Sequence, residues 1–292
     1  MVDGLVLTRR VSERGVHETV QRAAGAGCAG LVRHYVGYEE WERPGFLRRE
    51  AARHGVALIL AFGDNMEVFE GEEGSPARTL GAFVVGNQSG SSLTGVLGHQ
   101  LGVQVDLTPS GALALFGDVE RLNDAVVPLD EALGARGMRL VERLSETPSW
   151  EARLQLLDET LACDDAPAIS PEVAWLSRQL EASRGQARVE PLMDETGWSR
   201  RHVTARFRCQ MGLSPKAYAR LLRFDHAKLL VCDRSPGRTL ADAATEAGYY
   251  DQSHLTRDFV ALAGVTPGAY AADAALAPEV RFLQDAAPAT RT

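Results

Sequence analysis

The chain has 292 residues, enough for two domains and a short tail, and its 45% hydrophobic content is ordinary for a globular protein. No apolar run approaches the roughly 20 residues needed to cross a bilayer, and the N-terminus has no basic start followed by an apolar stretch, so a membrane span and a secretory signal are set aside. The net charge of -8 hides an asymmetry: residues 1–181 carry 16 basic and 27 acidic side chains, residues 182–272 carry 13 and 9, and the last twenty carry 2 and 3. An acidic front joined to a basic back is what a chain with one DNA-binding part would show.

Residues 25–125 read mainly as β, with runs of strand length at 31–36, 56–62 and 81–85 punctuated by Gly, Asn, Asp and Pro. Short strands at this spacing suggest a barrel or sandwich. Gly25, Gly27 and Gly30 match the dinucleotide G-x-G-x-x-G pattern, which needs a strand before it and a helix after it. Here a helix-like stretch precedes and a strand-like run follows, so the segment reads as a flexible loop. Residues 109–116 read as a short helix. From about 130 the period becomes helical: 138–145 is amphipathic through Leu140, Val141 and Leu144, and Ser149 caps a helix through Leu161 with Leu154, Leu157 and Leu161 on one stripe. Residues 164–168 read as a linker, and 171–183 as a helix with Val173, Leu176 and Leu180 on its apolar side. The Ala- and Pro-rich stretch after 272 reads as a mobile tail.

Enzyme chemistry finds little purchase. Cys28, Cys163, Cys209 and Cys232 lie far apart, with no pair at metal-ligand spacing, and read as reduced thiols in a cytoplasm. His34, His54 and His99 lack the close spacing of a cupin metal site, Glu39-Glu40 and Glu72-Glu73 read as solvated charge runs, and no G-x-S-x-G elbow occurs. No cofactor, metal or catalytic residue is therefore expected.

The strongest signal is an internal repeat at an offset of 52 residues, between 203–218 and 255–270. Six of sixteen positions are identical: Thr204 with Thr256, Phe207 with Phe259, Gly212 with Gly264, Pro215 with Pro267, Ala217 with Ala269 and Tyr218 with Tyr270. Val203 with Leu255 and Leu213 with Val265 exchange one aliphatic for another. Val203 and Phe207, like Leu255 and Phe259, sit four apart and can pin a helix to a core. Gly212 and Gly264 fall where a helix must stop, and Ser214-Pro215 and Thr266-Pro267 each cap and start a new one. A shorter helix precedes each copy. One covers 189–195, carries Leu192, and ends at Thr196-Gly197-Trp198; the other covers 239–247 and ends at Gly248-Tyr249, with Thr239 and Asp242 at capping-box spacing. A short helix, a tight glycine turn and a second helix make a helix-turn-helix, whose second helix reads the major groove. Arg201, Thr204, Ala205 and Arg208 share one face of the first unit, with Arg200 beside them, and Gln252, Ser253, Thr256 and Arg257 share one face of the second; all nine are expected DNA contacts. Arg can clamp guanine, Gln can clamp adenine, and Thr can meet a thymine methyl or a phosphate. Residues 214–231 read as one helix, a rod of roughly 27 Å at ~1.5 Å per residue, which could hold two recognition helices near the ~34 Å between successive major grooves.

Residues 180–272 resemble the AraC/XylS family of regulators, most closely over 248–259 with Gly264 and Thr266-Pro267 downstream. The resemblance implies base-contacting places at Arg201, Thr204 and Ala205 and at Gln252, Ser253, Thr256 and Arg257. Ala205 stands where members often have Arg, Arg206 where they often have an apolar residue, Met193 where a small residue usually packs, and Pro191 close to a helix start; these departures bear on base readout by the first unit, not on its fold. The front half is more weakly similar to the β-rich sensor domains of that family at 81–88 and 124–129, which implies a cupin-like barrel followed by helices.

The expected fold is α+β: a β-rich, cupin-like barrel with helices over 1–165, a linker and first helix over 166–185, an all-α double helix-turn-helix domain over 186–272, and a tail over 273–292. The expected function is effector-controlled regulation of transcription, as an activator, by a protein of the cytoplasm and nucleoid that is not an enzyme. Its expected partners are double-stranded promoter DNA, RNA polymerase, a small-molecule effector and a second copy of itself, and not a membrane. A metal-dependent cupin-type enzyme and an interaction protein that no longer binds DNA are the alternatives weighed.

Overall fold

The structure, a computed structural model, describes residues 5–11, 15–42, 47–69, 76–96, 98–162, 167–233, 235 and 237–272. The acidic part of the chain forms strands β1 (Val6–Val11), β2 (Gly15–Ala23), β3 (Val32–Glu42), β4 (Leu47–Glu50), β5 (Ala57–Ala61), β6 (Met66–Phe69), β7 (Ala77–Leu80), β8 (Phe83–Val85), β9 (Ser92–Val96), β10 (His99–Leu107) and β11 (Val126–Pro128). They make a seven-stranded sheet in the order β1-β2-β3-β10-β5-β8-β11 and a four-stranded sheet in the order β4-β9-β6-β7. All pairings are antiparallel.

Strand β5, Ala57-Leu58-Ile59-Leu60-Ala61, is buried along its whole length, as a strand covered on both faces must be. Its side chains alternate. Ala57 and Ile59 join Val68, Leu80 and Phe83 in a small core between the two sheets. Leu58 and Leu60 join Val20, Tyr35, Val84, Val103 and Val105 in the main core, which α1 (Pro109–Phe116), α2 (Leu129–Glu146) and α3 (Trp150–Leu161) cover from the other side. Thr108 and Ser149 cap α1 and α3 by accepting from the N–H groups of Gly111 and Ala152.

Helix α3 is tied to the sheet through one carboxylate. Asp158 accepts from the Gly25 N–H at 2.9 Å, the Tyr35 hydroxyl at 2.9 Å and the Cys28 thiol at 3.0 Å, and pairs with Arg22. Burial opposes charge on Asp158, but these donors and Arg22 hold its carboxyl below the usual carboxylate range. Burial and the Asp158 contact push the Cys28 thiol up, so it is no reactive thiolate.

Three expectations need correction. Glu39-Glu40 is not a solvated charge run: Glu40 is largely buried and pairs with Arg48 at 2.6 Å, and Glu39 meets His99 at 3.0 Å, because strand β3 carries both into contact with neighbouring strands. The stretch before Gly25 is strand β2, not helix: Val16, Thr19 and Val20 suit a strand, and the segment is hydrogen-bonded to β1 on one side and β3 on the other. The 25–30 segment is a pinned turn and not a flexible loop, held by the Asp158 contacts and by backbone bonds from Cys28 to Gly25 and from Leu31 and Val32 to Cys28. It lies between two strands, so the helix that a dinucleotide site needs is absent there. Glu72-Glu73, Cys163, residues 164–166 of the linker and the 273–292 tail lie outside the described residues.

The basic part is helical: α4 (Pro171–Ala182), α5 (Val189–Glu195), α6 (Arg200–Met211), α7 (Pro215–Cys232), α8 (Leu240–Glu246), α9 (Gln252–Ala263) and α10 (Pro267–Ala272). It holds two apolar cores. Val173, Leu176 and Leu180 of α4 pack with Met193, Val203, Phe207, Met211, Tyr218 and Ala219. Leu221, Phe224, Ala227 and Leu230 from further along α7 pack with Ala243, Ala244, Leu255, Phe259, Leu262 and Tyr270. Helix α7 is thus a rod shared by both cores; its 18 residues span about 27 Å. None of the described helices is long and apolar enough to cross a membrane.

Candidate nucleic-acid interface

The second helix of each unit is built by the same local devices. In the first, Ser199 caps α6 by accepting from the His202 N–H, and Gly212 ends it with φ 80°. Ser214 then caps α7 ahead of Pro215. In the second, Thr239 and Asp242 form a full capping box on α8, with the Thr239 N–H donating to Asp242 Oδ2 at 2.9 Å and the Asp242 N–H to Thr239 Oγ1 at 3.1 Å. Asp251 caps α9, accepting from the His254 N–H at 2.7 Å, and Gly264 ends it with φ 70°. The interhelix turns bend at Gly197 and Gly248, with φ 74° and 79°. Such left-handed backbone favours glycine.

The inward faces are well buried. Val203, Phe207, Leu255 and Phe259 are at most 1% exposed, Pro215 and Pro267 are buried, and Leu192 is half-buried against the first core beside the buried Met193. The opposite faces are open. Arg200, Arg201, Ala205, Arg208, Gln252, Ser253 and Arg257 are exposed, and Thr204 and Thr256 are half-buried. Arg257 leans on its own helix, its Nε donating to the Ser253 carbonyl at 3.3 Å. Arg200 is engaged elsewhere, in a two-pronged pair with Asp194 at 2.9 and 2.7 Å that fastens α6 to α5. Arg206 is engaged too. Its Nε donates to Ser170 Oγ at 3.1 Å, and Gln210 Oε1 accepts from the Ser170 N–H at 3.1 Å, so α6 holds the start of α4.

Two features escaped the sequence reading. Asp258, only 7% exposed, sits on the buried side of α9 and accepts from Arg220 of α7 at 3.1 and 2.8 Å. A charged residue between Leu255 and Leu262 on an otherwise apolar stripe was the available signal. Tyr250, 93% exposed, stands in the turn before α9 and lines a shallow trough with Arg220, His254, Arg257 and Asp258. Among the described residues, no group of three or more His, Cys, Asp or Glu is placed to hold a metal ion.

Two paired helices joined by glycine turns, each raising an exposed second helix, define a helix-turn-helix protein. Residues 192–273 match the family described as "Helix-turn-helix domain". A curated relative, the "Uncharacterized HTH-type transcriptional regulator YbfI" of Bacillus subtilis (strain 168), is 32% identical over 113 residues, 36% of this chain and 40% of that protein. The chain thus spans less than half the length of that relative. Among solved structures, apo ToxT from Vibrio cholerae strain SCE256 aligns over 86% of this chain and 98% of its own at 8% identity with a TM-score of 0.48. A second ToxT structure aligns over 77% and 96% at 10% identity with a TM-score of 0.43. Residues 192–273 of this chain are a helix-turn-helix domain.

Proposed function

We propose that the chain is a sequence-specific transcription regulator that lays α6 and α9 in successive major grooves of promoter DNA. The observation that carries this reading is the repeat itself: two units 52 residues apart, each with a buried apolar stripe and an open polar face at the same positions. The base-reading residues in this reading are Arg201, Thr204, Ala205 and Arg208 on α6 and Gln252, Ser253, Thr256 and Arg257 on α9. Arg200 sits among them as a fastener of α6. Residues 186–272 form the DNA-binding domain, and residues 1–165 the sensor, answering a small effector. The protein acts without catalysis, in the cytoplasm at the nucleoid, as an activator that recruits RNA polymerase, and pairs with a second copy.

The test begins with the genomic fragments that the full chain retains. Their footprint should show two contact patches one turn apart; a single compact patch contradicts the reading. Replacing Arg257 by Ala should weaken the best site by about 1–3 kcal/mol and relax preference at one base pair. An unaltered preference removes Arg257 from the readers.

A further inference from the structure

The β-rich part grips the helical part at the same place on each repeat. The last carbonyls of a helix have no partner within it. At the end of α6, Asn87 Nδ2 donates to the Met211 carbonyl at 3.3 Å, and Asn123 Nδ2 donates to the Gly212 carbonyl. At the end of α9, the Ala52 N–H donates to the Leu262 carbonyl at 2.7 Å. The two capping glycines, equivalent in the repeat, both press on the β-rich part. A methyl group on Gly212 would lie 2.6 Å from Asn87 Nδ2, and one on Gly264 would lie 2.6 Å from the Arg49 guanidinium and from Ser91 Oγ.

The two grips are joined by one strap, residues 51–55, which connects β4 of the small sheet to β5 of the large one. Ala51 and Ala52 belong to the apolar core of the second unit. Arg53 exchanges backbone bonds with Gln88 at 3.2 and 2.9 Å, and the Gly55 N–H donates to Asn87 Oδ1 at 2.7 Å. Between them, His54 Nδ1 lies 2.8 Å from Asp225 Oδ2 at the middle of α7, with its ring edge-on to Tyr218. The two units are therefore joined by the rod α7, by the Gln186 side chain donating to the Glu246 carbonyl at 2.9 Å, and by a strap running from one recognition helix end to the other.

We propose that residues 51–55 with Asn87 and Asn123 are positioning residues that fix the separation of the two recognition helices, and so set the spacing of half-sites the chain accepts. This rests on the reading that both α6 and α9 lie in DNA. With these ties in place the units move as one frame. With a corner open, the strap no longer fixes the distance between the two helix ends and a wider range of separations becomes reachable. Because the strap links the two sheets, a displacement of one sheet against the other would be felt at both helix ends.

The test uses the full chain and a duplex selected from a random pool, then variants of that duplex with one base pair added or removed between the two contact patches. Wild type should lose about tenfold in affinity for each misspaced duplex, the scale of one mismatched base pair. Asn123→Ala and His54→Phe open different corners. Each should bind the parent duplex within about threefold of wild type, yet discriminate spacing by less than about threefold. A merely structural contact would lower affinity at all spacings alike. Hydrogen exchange gives a reading without DNA: the Ala52 amide should be protected in wild type and exposed in His54→Phe. Wild-type spacing profiles in both variants overturn the proposal, as does a wild type that binds duplex but ignores spacing. A wild type that binds no duplex overturns the regulator reading itself.

Discussion

At the scale of the residue, titration gives the sharpest expectation. His226 is buried on α7, and Arg184 meets its Nε2 at 2.6 Å. A guanidinium can only donate, so Nε2 accepts and the ring is neutral. Burial first, then the Arg184 charge, lowers its pKa from the ordinary value near 6.5. The sign follows: the unfolded chain takes up a proton that the folded ring refuses, so this contribution to stability is present above about pH 6.5 and is lost as pH falls below it. Melting temperatures of wild type should drop between pH 7 and the lowered folded value relative to His226→Leu; parallel curves would refute the assignment. Asp225 behaves at lower pH. Burial alone would raise its carboxyl, but Lys228 at 3.0 Å and His54 bring it below the ordinary range. Its support is full above the ordinary carboxylate pKa and vanishes as pH falls through the lower folded one. The Arg220 and Asp258 pair offers a thermodynamic check. Asp258→Ala should cost about 1–3 kcal/mol in urea melts, and adding Arg220→Ala should cost less than the sum of the single changes. Simple additivity would mean that the pair does not hold α9 on α7.

At the scale of the element, caps decide where the recognition helices begin and end. Asp251→Ala should remove about 1 kcal/mol of stability, as loss of an N-cap does, without altering the m-value. Gly264→Ala and Gly197→Ala make a matched pair. Both force a left-handed backbone on alanine, costing about 1–2 kcal/mol, but Gly197 faces open space whereas Gly264 meets Arg49 and Ser91. Gly264→Ala should therefore be the more destabilising in thermal melts; equal losses would show that the contact at the end of α9 yields freely. These helices were readable in the sequence because their signals are local. Thr239, Asp242, Gly212 and Gly264 act within four residues of themselves, and the repeat reports the glycine stop twice. The β1–β2 hairpin was not readable, because β2 owes its state to β1 and β3 beside it. The outward faces were read from spacing alone, but the engagement of Arg200, Arg206 and Asp258 depends on residues brought close by the fold.

At the scale of the whole molecule, opposite charge on the two parts matters to binding. With the acidic part as neighbour, the arginine-bearing faces must supply the attraction to phosphate. Affinity should fall steeply between ~50 and ~200 mM salt, with a slope set by the number of phosphates contacted. A flat salt dependence would remove arginine-to-phosphate contact as the source of affinity. The union of the two parts was invisible to sequence reading: Asn87 meets Met211 and Ala52 meets Leu262 across more than a hundred residues, with no periodicity to announce either.

If residues 1–165 act as the proposed sensor, the Asp158 junction restricts how a message could leave them. Four donors from the sheet side converge on one acid of α3. Sliding α3 away would leave a half-buried carboxylate and Arg22 without their partners, a penalty of about 1–3 kcal/mol. The helical cover and the large sheet are consequently welded into a single block. On the proposed reading, a small molecule that shifts that block against the lesser sheet would pull on the cable strung between the two sheets, and that cable reaches the ends of both α6 and α9.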